Sequence, residues 1–394
     1  MKYVILVGDG MADYKIKELG NKTPLQAAIT PNMDYIAKNG VIGMVNNTPK
    51  GMPVGSDVAN LSVLGYEPEK YYTGRAPLEA VNIGVKLDKN DVAYRCNFVF
   101  IEDNIMKDFS AGHISTEEAL LLIEDLNSLL SNEDIYFYTG KSYRNLMVHK
   151  NGSSNTDCTP PHDIVDRSVE PYLPKGEEAD LLIKLIDNSQ KFLITHEVNL
   201  KRLEDGLNPA NSIWLWGQGN TPSLPLFKDL FGLSGSIISA VDLLKGIGKC
   251  IGFNVVDVPG ATGYLDTNYQ GKAEYALKEL SEKDLVLIHV EAPDEASHNG
   301  DLKAKMKAIE DFDEKVVGYV LKEIKDFGQY KIMVLPDHPT PLSLRTHVAE
   351  AVPFAILDSG DLRENLGTTY DEEAAGSTGI YFENGNKLMR YFLG

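Results

Sequence analysis

The sequence predicts an α/β protein with a mostly parallel sheet flanked by helices, into which a smaller α+β domain is inserted. Three observations carry this expectation. Short apolar runs bounded by turns, YVILVG (3–8), SIWLWG (212–217), DLVLIHV (284–290) and YKIMVLP (330–336), read as core strands, because strands covered on both faces lose the alternation of a half-exposed sheet. Helical spacing fills the stretches between them, most clearly in DLKAKMKAIEDFDEKVVGYVLKEIKDFG (301–328), which stops at a capping glycine, Gly328. From about Asp91 to Arg202 the texture changes to a strand-like AYRCNFVFI, a helix in TEEALLLIEDLNSLL, a hairpin in IYFYTGKSYRNLMVH and a helix in EEADLLIKLIDNSQKFL. The expected division is a discontinuous core, 1–85 and 205–394, around an insertion, 86–204.

At 394 residues the chain can bury a sizeable core. The apolar run at the N-terminus is too short for a signal peptide, and no run is long enough to span a bilayer. Three cysteines, Cys96, Cys158 and Cys250, have no CxxC spacing, which argues against a disulfide framework or a thiolate zinc site. A reduced, cytoplasmic setting is expected. A formal charge of −19 disfavours nucleic acid and anionic membrane as partners. A small phosphorylated substrate would then need local positive charge, from metals or a few placed arginines.

In GMPVGSDVANLSVLGY (51–66), Ser56 follows a turn rich in glycine and proline and opens a helix-compatible run. Taken alone it reads as a helix N-cap. It also reads as a nucleophile, since free N–H groups and the positive dipole end there would receive a phosphate. The strand ends shift the balance. Ligands of open α/β sheets bind outside the carboxyl ends of the strands. The first run ends in Asp9, the run 284–290 leads into Asp294 and His298, and the run 330–336 leads into Asp337-His338, with His347 beyond. Singly these are a turn, an i,i+4 pair and a loop. Together they are oxygen and nitrogen donors numerous enough for two divalent cations, Mn²⁺, Zn²⁺ or Mg²⁺. Coordination would also activate the Ser56 hydroxyl.

GDG (8–10), GSDVANLSVLGY (55–66), YTGRAPLEA (72–80), DFSAGHIS (108–115), PPHDI (160–164), WGQGN (216–220), PGATGYLDT (259–267), HVEAPDEASHNGD (289–301) and PDHPTP (336–341) resemble the archaeal-type cofactor-independent phosphoglycerate mutases of the alkaline phosphatase superfamily. The match runs through nearly the whole chain in order. It implies an alkaline phosphatase-like core, one cation on Asp294, His298 and His347, another on Asp9, Asp337 and His338 with Ser56 beside it, and no need for 2,3-bisphosphoglycerate. Mn²⁺ is the first choice, with Zn²⁺, Co²⁺ and Mg²⁺ as alternatives. Ser56 would take the phosphoryl group of 3-phosphoglycerate and return it to the other hydroxyl, giving 2-phosphoglycerate. The insertion would be a lid carrying the substrate-holding groups, for which position nominates Arg75, Arg95, His113, Arg144, His162 and Asp163. A homo-oligomer is compatible with this reading.

Where the family pattern reads TGRGP, this chain has Arg75-Ala76-Pro77. That departure bears on the phosphoryl acceptor and leaves a homoserine kinase-like phosphotransferase as an alternative. A metal-dependent phosphatase would use the same serine and cations with water as acceptor; a phosphopentomutase would share the mechanism. A formylglycine-type sulfatase would need a CxPxR-like run, which is missing. A regulatory binding module would need no nucleophile.

Overall fold

The computed structural model describes residues 1–363 and 368–394. The chain divides into two compact units, Met1–Tyr72 with Leu224–Gly394, and Thr73–Ser223.

The first unit is built on an eight-stranded sheet in the order Asn254–Val256, Gly235–Ile238, Leu285–Val290, Lys2–Gly8, Tyr330–Leu335, Val352–Asp358, Val41–Val45, Tyr381–Phe382. The first five strands of that order are mutually parallel, and Val352–Asp358 runs antiparallel to both of its neighbours. Lys2–Gly8 is therefore a central strand, paired on one side with Leu285–Val290 and on the other with Tyr330–Leu335. Its alternate residues Val4 and Leu6 join a buried cluster with Ile288, Val334, Ile309 and Phe312, while Ile5 and Val7 are equally buried on the opposite face. A strand buried on both faces must be apolar throughout, which is why these runs lack alternation.

The segment between Leu285–Val290 and Tyr330–Leu335 is helical but not one helix. It comprises Ala292–His298, Leu302–Phe312, a π turn at Asp313–Val317, then Gly318–Glu323 and a 3₁₀ turn at Ile324–Phe327 capped by Gly328. The π turn holds the buried Asp313, whose carboxylate accepts from Met33 N at 2.7 Å and Asn32 N at 3.2 Å. Those N–H groups open the helix Pro31–Asn39, so the irregular turn is where one helix caps another.

The second unit is antiparallel. Val92–Glu102 pairs with Arg144–His149 along one edge and with Ser212–Asn220 along the other, while Ile105–Asp108 and Ile135–Lys141 extend the sheet. Helices Thr116–Leu130 and Ala179–Leu193 bury Leu122, Leu126, Leu182 and Ile186 with Phe98, Ile213 and Leu215 of the sheet.

Two expectations are corrected here. SIWLWG is not a strand of the parallel sheet: it lies antiparallel to Val92–Glu102. With helix Arg75–Asn82 packed on the same two strands, the compact units divide at 72/73 and 223/224, in place of 85/86 and 204/205. Among the described residues, no helix is long and apolar enough to cross a membrane.

Candidate active site

Because Leu285–Val290, Lys2–Gly8 and Tyr330–Leu335 are adjacent and parallel, their carboxyl ends place Asp294, Asp9 and Asp337-His338 together. Gly10 makes the approach possible. It has φ +62°, and a Cβ there would stand 2.6 Å from Thr340 Oγ1 and 2.7 Å from Asp294 Oδ1. Helix Ala292–His298 puts Asp294 and His298 one turn apart on one face, with His298 Nε2 3.2 Å from Asp294 Oδ2. His347 comes from a loop, its Nε2 2.9 Å from His298 Nε2 and 3.4 Å from Asp294 Oδ1.

Ser56 is the first residue of helix Ser56–Val63, and Gly55 occupies the N-cap position. Its Oγ lies 3.1 Å from His338 Nε2. That imidazole nitrogen is also 3.5 Å from Asp9 Oδ1 and 3.5 Å from Asp337 Oδ2. Asn60, one turn along the same helix, donates from Nδ2 to Asp337 Oδ2 at 2.8 Å, tying the serine's helix to the strand end.

The tautomers follow from the partners on the far side of each ring. His298 Nδ1 is 2.9 Å from the Arg345 carbonyl, which can only accept, so Nδ1 carries the proton and neutral His298 presents a bare Nε2. Thr340 Oγ1 donates its single proton to Asp294 Oδ1 at 2.5 Å and lies 3.3 Å from His338 Nδ1, toward which it can only accept. His338 Nε2 is therefore also a lone pair, aimed at Ser56 and the carboxylates.

The electrostatics of the cluster call for a cation. Burial, reinforced by the Asp337 and Asp294 carboxylates, pushes Asp9 well above the usual carboxylate range. Its Oδ1 is buried without a hydrogen-bond partner. Burial pushes His338 down to about 4, so its ring is neutral at ordinary pH. Burial works against the charge on His298 too, but the hydrogen bond and charge of Asp294 outweigh it and carry His298 up to about 9. Oxygen and nitrogen donors, the neutral His338 imidazole and an orphaned buried carboxylate oxygen fit divalent metal, and a cation on Asp294 and His298 would take the place of the His298 proton.

The substrate-holding candidates all fall in the second unit. Arg75 Nε and Arg95 Nε lie 3.3 Å and 3.0 Å from the two oxygens of Glu79. The Arg95 guanidinium sits over the Trp216 ring at 4.4 Å, and Arg144 over Tyr143 at 5.0 Å. Burial, offset in part by Glu79 and reinforced by Arg75 and Arg144, lowers Arg95 to about 10. The His113 ring is 6.1 Å from Tyr143, and the His162 ring 5.3 Å from Trp216. Two arginines and two histidines thus gather on the Tyr143 and Trp216 rings, and Arg75 shares the Glu79 carboxylate with Arg95. The Asp163 side chain is exposed, with His162 at 3.7 Å. His113 is held in a left-handed turn, φ +51°, by Asp108, whose oxygens accept from Ser110 N and Gly112 N at 2.7 Å each. Ala76, the residue of the Arg-Ala-Pro departure, is fully buried and packs with Ala80, Ala93 and Leu146.

Sequence reasoning missed His289, Thr340, Glu79, Tyr143 and Trp216. His289 left a signal, as the one polar residue in the otherwise apolar strand Leu285–Val290.

Residues 37–199 match the family model described as 2,3-bisphosphoglycerate-independent phosphoglycerate mutase. A protein of Methanosarcina barkeri with that name is 54% identical over 384 residues, covering 96% of each chain. Among solved structures, a Pyrococcus horikoshii protein superposes with a TM-score of 0.83 at 28% identity, over 100% of this chain and 96% of that one. The cofactor-independent phosphoglycerate mutase of Thermoplasma acidophilum superposes at 0.63 with 27% identity over 100% of both. With strand ends, serine and full-length likeness in agreement, the chain belongs to the 2,3-bisphosphoglycerate-independent phosphoglycerate mutases.

Proposed function

We propose that the chain interconverts 3-phosphoglycerate and 2-phosphoglycerate, with Ser56 as the group that carries the phosphoryl between the two hydroxyls. The observation that carries this reading is the 3.1 Å approach of Ser56 Oγ to the bare Nε2 of His338, beside Asp9 and Asp337. Asp294, His298 and His347 would hold one divalent cation, and Asp9, Asp337, His338 and Ser56 another, with Mn²⁺ as first choice. Bound there, such ions supply Lewis-acid stabilisation of phosphoryl oxygens and lower the pKa of a coordinated hydroxyl.

Ser56 Oγ attacks phosphorus and the bond from phosphorus to O3 of the substrate breaks; the proton given up by the serine hydroxyl ends on O3, and neutral-hydroxyl glycerate is left beside a phosphoserine. Glycerate turns, its O2 attacks the same phosphorus as the bond to Ser56 Oγ breaks, and the O2 proton ends on Ser56 Oγ, restoring the hydroxyl. Thr340 keeps His338 Nε2 free of a proton throughout, because its own proton is committed to Asp294. Asn60 holds Asp337 in register with the serine's helix. Arg75, Arg95 and Arg144, with His113 and His162, supply cationic and hydrogen-bonding groups suited to the carboxylate and phosphate of glycerate phosphates.

The test is a coupled assay of chelated protein with 3-phosphoglycerate, with and without added Mn²⁺, followed by ATP and homoserine. Mutase turnover restored by the ion supports the proposal. Turnover only with ATP and homoserine would replace it.

A further inference from the structure

We propose that His289 is a metal ligand: its Nε2 completes the set offered by Asp9 and Asp337, on which one cation is held. This rests on the two-cation reading above and adds a donor to it.

His289 is the penultimate residue of strand Leu285–Val290, and its side chain is wholly buried. A buried polar ring needs a partner. Its Nε2 points into the carboxylate cluster, 3.1 Å from Asp9 Oδ2, yet out of line for a hydrogen bond, and remains an unpartnered buried nitrogen. Asp9 Oδ1 is orphaned in the same way. Two unsatisfied buried lone-pair atoms facing one space fit a shared cation.

The spacing agrees. Two donors about 2.1 Å from one ion stand about 3.0 Å apart at a right angle and about 3.4 Å at the tetrahedral angle. His289 and Asp9, at 3.1 Å, fall inside that interval. Donor atoms of Asp9, His289 and Asp337 all lie within 4.8 Å of one another.

The far side of the ring follows the pattern of the other histidines. His289 Nδ1 is 3.4 Å from Ser239 Oγ, which accepts from Val241 N and keeps a lone pair for the imidazole N–H. His298 meets the Arg345 carbonyl and His338 meets Thr340 through the same ring nitrogen. Each ring is anchored through Nδ1 and offers Nε2 to the carboxylates, as metal-bound imidazoles do. With His289 the Asp9–Asp337 cation would have five protein donors, a number that Zn²⁺ reaches when it expands from four and that other divalent ions accept readily.

The experiment uses intact protein labelled with ¹⁵N-histidine and titrated with Zn²⁺ after chelation, alongside Mn²⁺ calorimetry of wild type and His289→Gln. Four Nε2 resonances, those of His289, His298, His338 and His347, should shift to metal-bound positions. His289→Gln should weaken one of two cations by about 10–100-fold and leave the other unchanged. If wild type binds two ions but only three resonances shift, or the variant binds both ions as wild type does, His289 is not a ligand. If wild type binds fewer than two ions, the two-cation reading itself fails, which the same titration reveals.

Discussion

Ser56 Oγ and His338 Nε2 stand 3.1 Å apart, although 282 residues separate them in the chain. Gly55, one residue earlier, occupies the N-cap position of the serine's helix. Ser56→Ala should therefore lose less than the roughly 1 kcal/mol that removal of a capping side chain costs, while mutase turnover falls below detection. Thermal melts and the coupled assay read the two effects separately. Appreciable residual turnover would remove Ser56 from the reaction.

Thr340 serves two partners, donating to Asp294 Oδ1 and accepting from His338 Nδ1. Thr340→Val keeps the volume and loses both hydrogen bonds. Metal affinity should drop by about 10–100-fold, in the range seen when the support of a ligand is removed. Thr340→Ser should restore most of it. Calorimetric titration with Mn²⁺ decides, and an unchanged affinity in the valine variant would count against the tautomer argument.

His298 links metal binding to pH. Its folded-state value, about 9, lies above the ordinary imidazole value of about 6.5. In metal-free protein its charged form therefore adds stability that is complete below about 6.5 and is lost as pH rises through about 9. A cation on Asp294, His298 and His347 must displace that proton. Affinity at this site should rise by up to about tenfold per pH unit from neutrality toward about 9. Proton release, measured by calorimetry in buffers of different ionisation enthalpy, checks it; binding without proton release contradicts it.

Lys305 and Asp13 form an ion pair at 2.8 Å, with side chains 0% and 1% exposed. Lys305 Nζ also donates to the Thr340 carbonyl at 2.9 Å, and Asp13 Oδ2 accepts from Leu342 N at 3.1 Å. Lys305→Met leaves a buried carboxylate uncompensated and should cost about 3–5 kcal/mol. The double change Asp13→Leu with Lys305→Met should recover part of that loss. Urea denaturation measures both, and equal stability of the single variant and wild type would contradict the assignment.

Arg144 is exposed while Arg95 is buried, so Arg144→Ala is the cleaner probe of substrate holding. Loosely held glycerate leaves before it can accept the phosphoryl group, and water then becomes the acceptor. Arg144→Ala should lower the mutase rate and raise the ratio of free phosphate to 2-phosphoglycerate. An unchanged ratio in both Arg144→Ala and Arg95→Ala would take these arginines out of the proposed role.

What the sequence determined by itself was local. Continuous apolar runs marked strands buried on both faces, and the residues ending them, Asp9 and Asp337-His338, were legible because a strand's carboxyl end is visible in one dimension. The four-residue spacing of Asp294 and His298 carried the same kind of information, since helical geometry puts such a pair on one face. Pairing is not local. Ser212–Asn220 has the composition of a parallel core strand, and only its hydrogen bonds to Val92–Glu102 make it antiparallel and assign it to the second unit. His289 was hidden for the same reason: a lone histidine in an apolar run gains its meaning from Asp9, brought beside it by the parallel register that aligns Gly8 with Val290. Thr340 sits inside PDHPTP without its partners being legible there, and Lys305 lies in an ordinary amphipathic helix. Their roles arise because burial removes water as a partner, so each polar group must find another within the fold, and which one it finds is decided in three dimensions.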